Sequence, residues 1–205
     1  MNIEVKNSVK SIDYAKSMKV LEKRVRDVHL GKKDELLWIL EHKSVYTAGT
    51  SSKNKDLINK KIKTINTNRG GKHTHHGPGQ KVIYFVLNLN KRGRDIRKLV
   101  TQVEDCIIQI LKEYKINSYR DKNNIGIWVR DKDKINKIAA IGIRVKKWIA
   151  YHGFALNINN DLSKYDGIIP CGITDKGITS FKKLGVKIPL NINKVIIKEF
   201  LNIFL

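Results

Sequence analysis

Apolar residues follow two rhythms along this chain. Behind Asp13, the residues Tyr14, Met18, Leu21, Val25 and Val28 recur at alternating steps of four and three, which predicts one face of an amphipathic helix. Ile96, Leu99, Val103, Ile107, Ile110 and Tyr114 repeat that spacing behind Asp95, a natural N-cap, and predict a second helix ending near Tyr114. A third, apolar helix is expected over Asn193–Leu205. Elsewhere the runs are short. Glu35–His42 reads as a buried strand followed by a turn through Ala48-Gly49-Thr50-Ser51, and Lys63–Asn68 as a short strand. Val82–Leu89 is almost continuously apolar, as a strand covered on both faces should be. Beyond a polar loop, Gly126–Arg130 reads as a strand, and Ile138–Val145 with Trp148–Ile158 as a hairpin joined at Lys146-Lys147. Arg69–Gln80 holds four glycines and a proline and is expected to be a loop, while Asp161–Leu190 is broken by Gly167, Pro170, Gly172, Gly177, Gly185 and Pro189. The expected architecture is one mixed α/β (α+β) domain over residues 1–205, with more strand than helix at its centre.

Composition narrows the class. With 41% hydrophobic and 29% charged residues the chain is an ordinary globular one, and no apolar run reaches the length of a bilayer span. The first residues lack the apolar block of a secretory signal, and Glu4 and Asp13 argue against a transit peptide, so a cytoplasmic location is expected. Two cysteines, Cys106 and Cys171, make no disulfide framework and fit no zinc pattern. A formal net charge of +22 is open to several readings: nucleic acid, acidic proteins, anionic lipid, or a compositional bias toward Lys, Ile and Asn. The basic positions are dispersed, with no basic tail and few aromatics among them, which disfavours a dedicated nucleic-acid binder.

Three segments carry candidate chemistry. The glycine-rich stretch Arg69-Gly70-Gly71-Lys72-His73-Thr74-His75-His76-Gly77-Pro78-Gly79-Gln80 can bring main-chain N–H groups close to a ligand, yet lacks the G-K-[ST] ending of a P-loop. Its histidines are spaced poorly for three ligands on one metal; His76, against Gly77-Pro78-Gly79, is the best candidate to line a pocket. Cys106 falls on the second helix as a small buried hydrophobe. Cys171 sits between Pro170 and Gly172 on a bend, placed either as an accessible nucleophile or as an incidental turn residue. A thiol needs a neighbouring cation to be a thiolate at neutral pH. Lys137 opens the apolar run Ile138-Ala139-Ala140-Ile141-Gly142-Ile143, and reads either as a buried amine with a partner or as a strand-end lysine reaching solvent. Ala139, Ala140 and Gly142 are small enough to leave room for an acyl chain, and His152-Gly153-Phe154-Ala155-Leu156-Asn157 repeats that theme.

Taken together these segments resemble the octanoyltransferases of lipoate biosynthesis. Arg69-Gly70-Gly71, Thr74 and His76-Gly77-Pro78-Gly79-Gln80 are similar to that family's R-G-G-x-x-T-x-H-G-P-G-Q signature. Lys137-Ile138-Ala139-Ala140-Ile141-Gly142 is similar to its catalytic-lysine strand, Pro170-Cys171-Gly172-Ile173 to its catalytic-cysteine turn, and His152–Asn157 to its second pocket strand. Val45-Tyr46-Thr47 with Gly49 matches a strand end of the family. One position departs: the family usually has an aromatic residue before the signature histidine, where this chain has His75.

The resemblance implies a fold shared with biotin and lipoate protein ligases, a curved mixed sheet that holds the acyl chain, with no metal and no nucleotide cofactor. It implies Cys171 and Lys137 as the catalytic pair. It implies substrate contacts from Arg69, Gly70, Gly71, Lys72, His73, Thr74, His75, His76, Ala140, Ile141, Gly142, Gly153, Phe154 and Ala155. The implied donor is octanoyl-acyl carrier protein, and the acceptors are lipoyl domains of 2-oxoacid dehydrogenases and the glycine cleavage H protein; neither nucleic acid nor membrane is a partner. Two alternatives stand beside this reading. One is an ATP-dependent lipoate or biotin protein ligase, since Arg92-Gly93-Arg94 resembles a ligase glycine-arginine loop. The other is a basic nucleic-acid-binding protein.

Overall fold

A computed structural model of the chain describes residues 2–169 and 176–205. Helix α1 (Tyr14–His29) starts where the sequence predicts: Asp13 is extended and its carboxylate accepts the Lys16 N–H at 3.0 Å, satisfying one of the unpaired donors of the first turn. Asp95 does the same for the Lys98 N–H at the head of α2 (Ile96–Lys112), and α3 (Ile192–Phe204) closes the chain.

The strands are β1 (Ile3–Asn7), β2 (Glu35–Leu40), β3 (Val45–Ala48), β4 (Thr64–Asn66), β5 (His73–His76), β6 (Gln80–Asn88), β7 (Ser118–Asp121), β8 (Asn124–Asp131), β9 (Lys134–Lys146), β10 (Ile149–Asn157) and β11 (Gly177–Ile178). The main sheet runs in the order β1-β2-β6-β10-β9-β8-β7. All its neighbours are antiparallel except β1 on β2, and β11 lies parallel to β9 where the β10 pairing has ended. A small sheet, β4-β3-β5, stands apart from it.

Alternation explains why β2 and β6 read as unbroken apolar runs. Leu36, Trp38, Leu40, Val82, Tyr84 and Val86 pack under α1, whereas Leu37, Ile39, Ile83, Phe85 and Leu87 face α2 and α3 in the larger core. Cys106 is fully buried in that larger core, and burial pushes its thiol well above the ordinary range. Arg92, the ligase-like arginine, is a structural fastener: it pairs with Glu35 and donates to the Phe204 carbonyl at 3.0 Å, tying β2 to the end of α3.

Two expectations need correction, and one element was not anticipated. Residues Arg69–Gln80 are not all loop, because His73–His76 form β5 and pair antiparallel with β3, His75 opposite Tyr46 and Thr74 opposite Thr47. The glycines sit at positions 70, 71, 77 and 79, at the two ends of the segment, leaving its middle free to extend. Once buried, its main-chain N–H and C=O groups need partners, which β3 supplies. The polar stretch after α2 contains β7, and the N-terminal segment forms β1, an edge strand whose four exposed residues hide it from an apolar pattern.

Candidate active site

The main sheet carries a strip without side chains. In the β9–β10 register Gly142 faces Gly153 and Ala140 faces Ala155, with Ile141 opposite Phe154 between them, so two neighbouring pairs on one face offer nothing longer than a methyl group. Val82 and Tyr84 flank the strip from β6, Phe154 and Ile141 border it, and Tyr14 closes it from α1. Arg69, Gly71, Lys72, His73, Thr74 and His76 roof it. The resulting cavity is apolar along its floor.

The roof is rigid for identifiable reasons. The buried Arg69 guanidinium donates to Thr47 Oγ1 at 2.8 Å, to the Thr47 carbonyl at 3.1 Å, to the Lys72 carbonyl at 2.8 Å and to the Gly70 carbonyl at 3.0 Å. Gly49 lies against the Gly71 carbonyl so closely that any Cβ would collide with it. β8 pairs with β9 only as far as Ala139, and the Gly70 N–H reaches the Ile143 carbonyl at 3.3 Å on the edge this leaves open. Along that edge a second groove, lined by Gly70, Ile143, Ile125 and Lys137 among others, shares Gly71, Lys72, Ile141 and Gly142 with the first cavity. Lys72 further pairs with the buried Asp56 at 3.6 Å.

Lys137 does not reach solvent: the residue is 5% exposed. The β8–β9 register steps from Ile127↔Ala139 to Trp128↔Lys137, so Ile138 is the extra residue of a bulge. Ile138 and Ala139 both remain in the α2-side core, and Lys137 is re-aimed to the other face beside Trp128. Its ammonium donates to the Ile125 carbonyl at 3.0 Å and lies 4.6 Å from the centre of the Trp128 ring. Gly126 leaves space for it, since a Cβ there would stand 3.3 Å from Lys137 Nζ.

The histidines part company. His76 is buried, its Nδ1 2.7 Å from Gln80 Oε1, and burial, then His42 and Arg69, hold it neutral well below the ordinary imidazole range. His73 also lines the cavity. His75 is not among the lining residues; it packs on Tyr46 and Tyr165, with Ser44 Oγ 2.9 Å from its Nε2. It thus occupies an aromatic niche. Among the described residues no three His, Cys, Asp or Glu side chains converge as a metal centre. Sequence reasoning missed Tyr14, Val82, Tyr84 and His152 as lining residues. Tyr14 was legible only as part of a helix stripe. The usable signal at His152 was its place beside Gly153 on the recognised strand.

His152 supports a stability prediction. Its backbone is left-handed (φ 69), Nε2 lies 2.7 Å from Asn68 Oδ1, and burial, then Arg69 and Arg144, hold its pKa down to about 3. The unfolded chain binds a proton here below about 6.5, and the folded chain does so only near 3. Stability from this group is therefore complete above pH 6.5 and falls as pH drops toward 3, by at most about 1.4 kcal/mol per unit. Urea midpoints at pH 7, 6 and 5 are expected to decline less steeply in His152→Asn, which tolerates the left-handed backbone. Equal slopes would remove His152 from the acid response.

The profile of the lipoyl protein ligase A/B catalytic domain matches residues 13–202. The chain belongs to the lipoyl protein ligase A/B catalytic-domain family. Within the family it is 46% identical over 195 residues to the octanoyltransferase of Wolbachia sp. subsp. Brugia malayi (strain TRS), covering 94% of this chain and 95% of that one. It is 42% identical over 207 residues to the octanoyltransferase of Anaplasma phagocytophilum, covering all of both chains. Membership together with the octanoyltransferase relatives makes it an acyltransferase, as the motifs implied. Protein Ta0514 of T. acidophilum, solved with bound lipoic acid, superposes with a TM-score of 0.75 at 14% identity over 98% of this chain and 86% of that one. At that identity the likeness is one of fold, the mixed α/β fold of the lipoyl protein ligase A/B family. Among the described residues no helix is long and apolar enough to cross a membrane.

Proposed function

We propose that this acyltransferase moves an octanoyl group from acyl carrier protein to a lipoyl-domain lysine through a thioester on Cys171. The observation that carries the reading is Lys137, a buried ammonium aimed by a bulge away from the core and lining a groove that shares Gly71, Lys72, Ile141 and Gly142 with the apolar cavity. Pro170–Asp175, and Cys171 with them, lie outside the described residues. The flanking chain supports the assignment on both sides: the Ile169 N–H donates to the Asp56 carbonyl at 2.8 Å, and Ile178 pairs directly with Lys137.

In this mechanism the Cys171 thiolate attacks the octanoyl carbonyl, the carrier's thiolate leaves, and Lys137 supplies the proton the leaving sulfur takes up. The acceptor amine then attacks the enzyme thioester. An amide forms, the Cys171 thiolate departs, and the ammonium proton of the new amide nitrogen returns to Lys137. Exchange between thioesters is nearly balanced and amide formation is downhill, so no ATP is consumed. Lipoyl domains of 2-oxoacid dehydrogenases and the glycine cleavage H protein are the acceptors we assign. Arg69, Gly71, Lys72, His73, Thr74 and His76 roof the octanoyl chain, and Gly142, Gly153, Ala140, Ala155, Ile141 and Phe154 surround its lower side; Gly70 and His75 act through the roof without lining the cavity.

Incubation with octanoyl-acyl carrier protein in the absence of ATP is expected to add one octanoyl group to the protein. Intact mass and peptide mapping should place it on Cys171, because Cys106 is sealed in the core with its thiol strongly disfavoured as thiolate. An adduct on Cys106, or none in an active preparation, would rule out the Cys171 thioester.

A further inference from the structure

Two ammonium groups converge on one indole. Lys137 Nζ lies 4.6 Å from the Trp128 ring centre and Lys176 Nζ lies 4.7 Å from it. The ring is fixed: Trp128 is buried, and its own N–H donates to the Asn124 carbonyl at 2.9 Å. Two like charges beside one ring repel, so a negative group is needed nearby. Asp121 provides it by pairing with Lys176. The Asp121 carboxylate is itself held in the β7–β8 turn, accepting from the Asn123 N–H at 2.8 Å and from Asn124 Nδ2 at 3.1 Å. With one ammonium neutralised, the electron-rich ring face is available to the other. Asp121, Ile125 and Trp128, the groups that hold these two lysines, all belong to the β7–β8 hairpin.

The covalent connection gives this arrangement its meaning. Lys176 follows Cys171 by five residues, and two residues further on Ile178 is paired with Lys137. The hairpin therefore grips the lysine of the proposed pair and the chain that leaves the cysteine at the same ring. We propose that Trp128, Asp121 and Lys176 are positioning residues that clamp the chain after Cys171 to the Lys137 ammonium. The clamp rests on the catalytic roles assigned above to Cys171 and Lys137, and touches no substrate itself.

The test compares turnover and Cys171 alkylation across a set of folded variants. Trp128→Phe keeps a ring and is expected to stay within about threefold of the parent, whereas Trp128→Leu should lower kcat about tenfold with KM nearly unchanged. Trp128→Leu should also raise the pH at which Cys171 alkylates, which a loss of packing alone would not do. Lys176→Met, away from the core, should lower kcat severalfold, and Lys176→Arg should restore it because a guanidinium keeps both the ring contact and the Asp121 pair. Parent-like kcat and alkylation in Lys176→Met and in Trp128→Leu, or in Lys176→Met alone should Trp128→Leu not fold, would overturn the clamp. Lys137→Ala run alongside separates the failures. If Lys137→Ala loses activity and the clamp variants do not, only the clamp falls; if Lys137→Ala is itself parent-like, the pair falls and the clamp with it.

Discussion

Replacing Lys137 with alanine is expected to lower kcat/KM by roughly 10²–10⁴, the range of a lost proton-transfer partner, while the fold survives. The side chain is buried yet satisfied, by the Ile125 carbonyl at 3.0 Å and the Trp128 ring, so its removal leaves one carbonyl near an exposed turn and no orphaned charge. A nearby ammonium favours thiolate over thiol, and each unit of thiol pKa corresponds to about 1.4 kcal/mol. The pH midpoint for alkylating Cys171 should therefore rise in Lys137→Ala. Lys137→Arg distinguishes charge from proton transfer, because a guanidinium keeps its proton throughout this range. Recovery of the alkylation midpoint without recovery of turnover would assign Lys137 both tasks. An unchanged alkylation profile and unchanged turnover in Lys137→Ala would leave it a structural amine.

The largest effect on stability is expected at Gly153, where alanine should cost about 3 kcal/mol or more. Its φ of 155° is rarely adopted by an L residue, and a Cβ would land on the Ile83 carbonyl oxygen of the neighbouring strand, with Phe85 Cδ1 3.3 Å away. β6 and β10 are paired along nine residues in the middle of the sheet and cannot separate to make room. Gly31 is the control. It too has a positive φ, 69°, but nothing lies within 4 Å of its Cβ position, so Gly31→Ala should cost only about 1 kcal/mol. Urea unfolding of the two variants gives the comparison directly. A Gly153→Ala midpoint matching that of Gly31→Ala would mean the strand contact yields, and the side-chain-free strip would then owe nothing to steric necessity.

Much of the fold was legible in the residues themselves, where the physics is local. Helix α1 and helix α2 announce themselves by a 3.6-residue apolar period and an aspartate whose carboxylate can reach the third N–H of the helix. The runs that became β2 and β6 are continuous because both of their faces are covered, and the small residues 140, 142, 153 and 155 were visible as gaps in two apolar strands. The motifs around Arg69, Lys137 and Cys171 were sufficient for the family.

What the sequence by itself could not determine was register. That Gly142 meets Gly153 and Ala140 meets Ala155 follows from hydrogen bonds between two strands, and a slip of one residue would have scattered the strip across both faces. Lys137 belongs to the same class of fact: an unbroken strand gives no warning that Ile138 is a bulge, and only pairing with β8 places the lysine beside Trp128. β5 exists because β3 lies alongside it, not because His73-Thr74-His75-His76 has a strand's apolar alternation, and the same pairing leaves His76 on the cavity and His75 in an aromatic niche. Local pattern marked the apolar faces of α1 and α2 and the covered strands β2 and β6. Only long-range pairing decided which buried residues face one another, because those hydrogen bonds join segments that carry no record of each other in sequence.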